Sequence, residues 1–395
     1  MSLSYCLLSM QAQRLPLSSA AASLARRRRR TLSASASASA STAAAEPLAA
    51  PTSRCWRWRG HEVHYEQAGE SGPPLVLLPG FGVGSHHYEA QLEELSASHR
   101  VFALDFLGQG LSWPADERAA AGIAFNPELW AEQTQDFITQ VVGQPAFVAG
   151  NSLGGYVATL LAATHPESVR AVILFNAAPF WTGAPNPVSE PEAARRMPWD
   201  GRLPAPWYVR ALMSLWWGTL RTPAVIRGLL GMVYADSAAV DDTLVHNILT
   251  PTRRNVARDV FCSVFFSPRA QLSFDQMLDR CRENGTPLLL LYGREDPWVV
   301  PLWGQRLKRR VPGAIYLELS PSGHCPHHET PAAVNALVAD FVAATVSGAP
   351  MKLLPALGES WTCPRSGVRA THCSGEPRNP FEHADAAGEK LMVKQ

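Results

Sequence analysis

The segment Gly150-Asn151-Ser152-Leu153-Gly154-Gly155 constrains this chain more than any other. It follows an apolar run at 146–149 and opens a helical stretch over 153–165, so the chain must pass from strand to helix in one tight turn. A turn of that kind is strained and crowded, and only small residues fit beside its apex. Gly150 and Gly154 provide them. The apex serine is then presented at the C-terminal end of a strand, the edge where ligands bind in open sheets flanked by helices. A chance Gly-Ser-Gly turn would not carry a strand before it and a helix after it.

The surrounding sequence supplies such a sheet. Residues 54–68 read as a hairpin turning at Gly60. Further apolar runs lie at 75–78, 101–104, 172–175, 288–292 and 314–319, with helical patterns near 86–96, 128–142, 303–310 and 331–346. Strands alternating with helices predict an α/β fold, a mostly parallel sheet with helices on both faces. Apolar residues are 46% of the 395, enough for a substantial core. The alternation breaks once, between Phe175 and Leu288, over a stretch far longer than an ordinary loop. Residues 180–284 are expected to form an inserted helical cap, with Pro206 opening a helix through Leu212 and Leu215. The core is thus expected in two parts, 54–179 and 285–346. After Gly348 the periodicity stops, and 347–395 read as a flexible tail.

Charge is unevenly placed. Residues 1–45 hold six arginines, five of them consecutive at 26–30, and no Asp, Glu or Lys, among many Ser and Ala. That composition predicts an organelle transit peptide in preference to a nuclear or nucleic-acid patch. With those six set aside, the 35 Lys and Arg fall to 29 against 34 Asp and Glu, a net of −5. A mildly acidic body argues against nucleic acid as a partner. Seven cysteines without a CxxC pair suggest reduced thiols and no disulfide framework. No apolar run approaches the roughly 18–20 residues of a membrane-spanning helix.

A serine nucleophile needs a base, and the base an orienting carboxylate, in the chain order Ser, Asp or Glu, His. Gly293-Arg294-Glu295-Asp296-Pro297 follows the run at 288–292. Spacing from the strand favours Asp296, with Glu295 as competitor. Ser320-Pro321-Ser322-Gly323-His324 follows the next strand, and His324 is the expected base. His327 and His328 read as a polar loop face or outer contacts, and His61, His64, His86 and His87 as strand and helix-surface residues. A metal cluster of His324, Cys325, His327 and His328 is disfavoured, because neighbours on a short loop rarely all face one ion. An oxyanion needs two N–H donors. Leu153 and Phe81 are the candidates, the latter in the glycine-rich loop Pro79-Gly80-Phe81-Gly82-Val83-Gly84. Gly80, Gly82, Asn151, Phe180, Trp181 and Trp298 are expected to contact substrate. Tryptophans 181, 199, 207, 216 and 217 could partly wall an apolar pocket, and Trp216 and Trp217 could instead rest on a membrane. This chemistry calls for no metal or organic cofactor.

The stretches PGFGVGSHHYEAQLEEL, ALDFLGQGLS, GNSLGGYVA, FNAAPFW, LYGREDPWVVPLWG and SPSGHCPHHETP closely resemble the plant and algal pheophytinases, from about Trp56 to Phe341. The resemblance implies an α/β-hydrolase fold, with Ser152, Asp296 and His324 at the triad positions. It implies cleavage of the phytyl ester of pheophytin, a bulky small-molecule apolar ester, to pheophorbide and phytol in the chloroplast during chlorophyll breakdown; the stroma is the expected compartment, with peripheral thylakoid contact. His328 departs from the more usual acidic residue, and the tail has no counterpart. A chlorophyll dephytylase, a lipase-like esterase or a carbon–carbon bond hydrolase stays open, as does a slowly hydrolysing ligand receptor. Dehalogenase and epoxide hydrolase chemistry is disfavoured, since both need Asp where Ser152 stands.

Overall fold

In a computed structural model, the described residues are 50–179, 185 and 188–376. The expected transit segment at 1–45, Phe180, Trp181 and the tail beyond 376 lie outside them. Ten strands form one sheet: β1 Thr52–Trp58, β2 His61–Ala68, β3 Pro74–Leu78, β4 Arg100–Leu104, β5 Ala146–Asn151, β6 Val169–Phe175, β7 Leu288–Gly293, β8 Ile315–Ser320, β9 Ser360–Thr362 and β10 Arg369–His372. Their spatial order is β1-β2-β4-β3-β5-β6-β7-β8-β10-β9. The six strands from β4 to β8 in that order are parallel. The pairs at both edges are antiparallel.

The parallel strands read as unbroken apolar runs because both of their faces are covered. Alternate residues go to opposite layers. Leu75, Leu77, Phe147, Ala149, Ile173, Leu289 and Leu291 pack with Leu92 and Leu95 of the helix Glu89–Leu95 and with Val334, Leu337 and Phe341 of the helix Pro331–Ser347. Val76, Leu78, Val148, Val172, Leu174 and Leu290 pack against Trp130 and Phe137 of the helix Pro127–Phe137, Val157 and Leu161 of the helix Leu153–Thr164, and Leu307 of the helix Pro301–Arg310. Because the central strands are parallel, all their C-terminal ends open on one edge of the sheet.

The helices Trp207–Leu220, Pro223–Val233, Asp242–Leu249 and Ala257–Phe266 fill the interval after β6. Pro206 precedes the first of them, as expected. The expected cap boundary at 284 is too late. The helix Phe274–Glu283 stands against Leu153–Thr164 in the core layer, with Phe274 stacked on Tyr156 at 5.5 Å and the Cys281 thiol directed at the Thr159 carbonyl. Its capping box, Ser273 with Gln276, starts a new helix after the cap. The six cysteines among the described residues are free thiols.

Residues 347–376 are not the irregular tail expected from composition. β10 pairs antiparallel with β8 and β9 with β10. Met351, Leu354, Cys363, Val368 and Ala370 are buried in the sheet layer that holds Leu317 and Leu319. Strands of three and four residues are too short to show a period of two, which is why the pattern was invisible. Removal of residues 349–395 should therefore cost stability, since burying one large apolar side chain contributes about 1.5–3 kcal/mol. It should also bare the β8 edge to aggregation. A thermal melt lowered by several degrees is expected, and an unchanged melt would refute the structural role of this segment.

Candidate active site

Ser152 occupies the turn between β5 and the helix Leu153–Thr164 with φ +51° and ψ −113°, a strained backbone for a residue with a side chain. Space around it is minimal. A Cβ on Gly154 would lie 2.1 Å from the Leu78 carbonyl oxygen, one on Gly150 2.3 Å from the Gly154 backbone, and one on Gly155 2.5 Å from the Ala177 methyl. The turn is tied to β6 by the Ser152 N–H donating to the Phe175 carbonyl at 3.1 Å and the Ala178 N–H donating to the Ser152 carbonyl at 3.1 Å.

Asp296 and His324 come from the loops after β7 and β8, and the structure brings them together. His324 Nδ1 lies 2.6 Å from Asp296 Oδ2, and both side chains are buried. Asp296 Oδ1 accepts the N–H groups of Trp298 at 2.8 Å and Val299 at 3.1 Å. Burial alone would raise the Asp296 pKa, but the His324 hydrogen bond and charge and these two N–H groups outweigh it and hold the carboxyl below its usual range. A depressed pKa stabilises the fold above the ordinary carboxylate pKa, and that contribution is lost as pH falls through the lowered value. Glu295, the competitor, turns away. It accepts from the Ser320 hydroxyl at 2.6 Å and the Ser322 N–H at 2.8 Å and so braces the histidine loop.

Three bracing side chains carry no signal that residue type alone would reveal. Asn176, at φ +41° after β6, donates from Nδ2 to Asp296 Oδ2 at 2.7 Å and accepts the Gly293 N–H at 2.8 Å. It lies within FNAAPFW, a stretch the sequence marks without assigning it a role. Asn151 is 2% exposed, and its amide donates to the carbonyls of Phe175 at 3.0 Å and His324 at 2.9 Å. It is a strut between the elbow and the histidine loop. Glu329 accepts four backbone N–H groups: Ala235 at 2.7 Å and Asp236 at 3.3 Å from the cap, Gly323 at 3.1 Å and Cys325 at 3.0 Å from the histidine loop. The His324 N–H in turn donates to the Val233 carbonyl at 2.9 Å, so the end of a cap helix is fastened to the histidine.

The loop at 79–84 lies against the elbow, since a Cβ on Gly80 would fall 2.9 Å from Asn151 Oδ1 and 3.8 Å from the Ser152 Cβ. Gly82 is exposed at φ +79°, and its N–H donates to Gln109 Oε1 at 2.7 Å. The Phe81 ring meets Phe261 and Phe265 of the cap at 5.8 and 5.4 Å, and Trp217 meets Phe261 at 5.4 Å. Leu153 is fully buried at the first turn of its helix, where N–H groups lack intrahelical partners. Trp298 is exposed, with its ring 5.9 Å from that of His324. Of the cap tryptophans expected to wall a pocket, Trp199 is buried against Phe266, while Trp207 and Trp216 are exposed to solvent. Among the described residues, the cap rings that meet Phe81 of the glycine-rich loop include those of Phe261 and Phe265.

The remaining histidines correct the surface reading. His64 is buried in β2, with Nδ1 2.9 Å from Asp105 Oδ2 and Nε2 3.1 Å from Glu66 Oε1. His327 is buried, not on a polar loop face. Its Nε2 lies 3.1 Å from Nδ1 of the buried His87, whose own Nε2 lies 2.8 Å from the Tyr234 hydroxyl, and His328 stacks on His87 at 4.5 Å. Burial, reinforced by repulsion from neighbouring histidines, pushes the pKa values of His87 and His327 well below the usual imidazole value. Burial raises the Cys325 thiol, which makes it a poor rival nucleophile beside His324. No group of three or more His, Cys, Asp or Glu among the described residues is placed to hold a metal ion.

Residues 75–337 match the alpha/beta hydrolase family. The chain is 42% identical to the chloroplastic pheophytinase of Arabidopsis thaliana over 77% of its own length and 69% of that protein. It is 27% identical to the 2-hydroxymuconate semialdehyde hydrolase of Pseudomonas sp. strain CF600, over 69% of this chain and 88% of that one. A solved meta-cleavage product hydrolase from Pseudomonas fluorescens IP01 superposes with a TM-score of 0.57 at 21% identity, covering 73% and 97% of the two chains, and so shares the fold.

Replacing Asn176 by Ala should leave Asp296 with one hydrogen bond fewer in a buried setting. A bond to a charged group contributes about 1.5–3 kcal/mol, so ester turnover should fall about 10- to 100-fold with KM little changed. Unaltered turnover in steady-state kinetics would remove Asn176 from the site.

Proposed function

The chain belongs to the α/β-hydrolase family and is a carboxylic ester hydrolase, and we propose that it cleaves the phytyl ester of pheophytin to pheophorbide and phytol in the chloroplast. The observation that carries this reading is the strained Ser152 elbow, tied through Asn151 to the loop of a hydrogen-bonded Asp296–His324 pair, in a chain 42% identical to a pheophytinase. The acid-free segment at 1–45 is proposed to be the transit peptide, with the stroma as the compartment reached.

In the proposed cycle, His324 Nε2 takes the proton of the Ser152 hydroxyl as Ser152 Oγ attacks the ester carbonyl carbon. Asp296 keeps Nδ1 protonated and stabilises the imidazolium that forms. The negative charge on the carbonyl oxygen is held by the N–H groups of Phe81 and Leu153. Collapse breaks the bond to the alcohol oxygen, which leaves with the proton from His324. Water, deprotonated by His324, then attacks the acyl carbon; the bond to Ser152 Oγ breaks, His324 returns the proton to that oxygen, and the acid is released. Trp298, Phe261 and Phe265 offer apolar surface for a large hydrophobic substrate beside this site.

The test offers pheophytin and chlorophyll separately to the chain lacking residues 1–45, with Ser152→Ala as control. Pheophytin should be cleaved in preference, and the control should be slower by several orders of magnitude. Preferred cleavage of chlorophyll would replace this reading with a dephytylase, and equal activity of the control would reject the serine mechanism.

A further inference from the structure

The helix Trp207–Leu220 turns a face to water that water does not favour. Its inward row, Val209, Met213 and Trp217, is buried or half-buried. The two outward rows at a spacing of four, Trp207–Ala211–Leu215 and Tyr208–Leu212–Trp216, are exposed, Trp207 by 80% and Leu215 by 77%. A surface helix ordinarily puts charged or polar side chains there. The next helix, Pro223–Val233, buries only Val233, exposes Met232 and carries a single charge, Arg227. An apolar face of this extent marks an interaction site.

The charges select the partner. From Gly201 to Ala235 there are four arginines and no Asp, Glu or Lys, in a body whose net charge is otherwise acidic. Arg210 is paired with Glu117 and Asp259, and Arg227 with Asp242. Arg221 has the Thr252 carbonyl as its partner, and neither it nor Arg253 makes an ion pair among the described residues. These two line a hollow with Pro223, Leu249 and Thr252, at the turn joining the two helices. Guanidinium groups beside an apolar face, with tryptophans on it, match a lipid surface whose headgroups carry phosphate. No helix among the described residues is long and apolar enough to cross a membrane.

We propose that the outer face of residues 207–233 docks on a bilayer bearing anionic headgroups, with Arg221 and Arg253 holding a headgroup phosphate. This deepens the proposed reading of the site, because a phytyl ester partitions into a bilayer, and docking would bring the enzyme to it.

The test is flotation of the chain with phosphatidylcholine vesicles, with or without phosphatidylglycerol, at low and high salt. The wild type should float with the phosphatidylglycerol vesicles and less so at high salt. Trp207→Ser/Leu215→Ser/Trp216→Ser should not float. Arg221→Gln/Arg253→Gln should bind about tenfold more weakly and lose most of its salt dependence. Both variants should keep wild-type melting and wild-type hydrolysis of a soluble p-nitrophenyl ester, which separates docking from catalysis. A wild type that does not float, or a triple variant that floats as well as wild type, would overturn the proposal. So would a wild-type dimer in light scattering that the triple variant dissociates, which would assign the face to a second copy. Loss of ester hydrolysis in the wild type would instead strike at the proposed function and leave the docking result to stand on its own.

Discussion

Gly154 approaches the Leu78 carbonyl so closely that any side chain there would displace β3 or the helix Leu153–Thr164. The contact joins three elements: β3, which leads into the glycine-rich loop, β5, which ends in the serine, and the helix behind it. With Gly150 and Gly155 equally confined, the backbone at Ser152 has no relaxed alternative and stays at positive φ. The remaining geometry depends on this point. β6, β7 and β8 run parallel to β5, so the loops bearing Asn176, Asp296 and His324 leave the sheet on the same edge as Ser152.

A second set of contacts decides how firmly the histidine loop is held. Asn151 reaches it from the elbow, Glu295 from the loop after β7 and Glu329 from the short helix that follows it. Two of its backbone N–H groups share the Glu329 carboxylate with two N–H groups of the cap. A displacement of the cap near Ala235 would therefore be felt at His324 through hydrogen bonds a few ångströms long. The cap is thus both a lid of apolar side chains over the core and a mechanical part of the site. In the proposed docking mode it is also the part that meets the bilayer, which would place substrate entry and the histidine loop under a common constraint.

The sheet was legible in the sequence because its parallel strands are buried on both faces, and a continuous apolar run needs no context to be seen. Ser152 was legible because the turn admits few residue types on either side. Asp296 and His324 followed from their places after consecutive strands. The braces were not legible. An Asn at positive φ or a Glu collecting four N–H groups looks like any polar loop residue until long-range contacts are known. His64, His87 and His327 read as surface residues for the same reason: a buried histidine with a partner and an exposed one look alike in sequence. The edge strands β9 and β10 escaped because they are too short for a pattern and owe their form to pairing with β8.

Ser152 is proposed to be a nucleophile activated by His324. This role is tested most directly by reacting the intact protein with a fluorophosphonate and locating the adduct by mass spectrometry. One adduct is expected, on the peptide containing Ser152, that forms at least about a hundredfold more slowly in His324→Ala, where the base is gone. An adduct on another residue, or undiminished labelling of Ser152 in that variant, would contradict it.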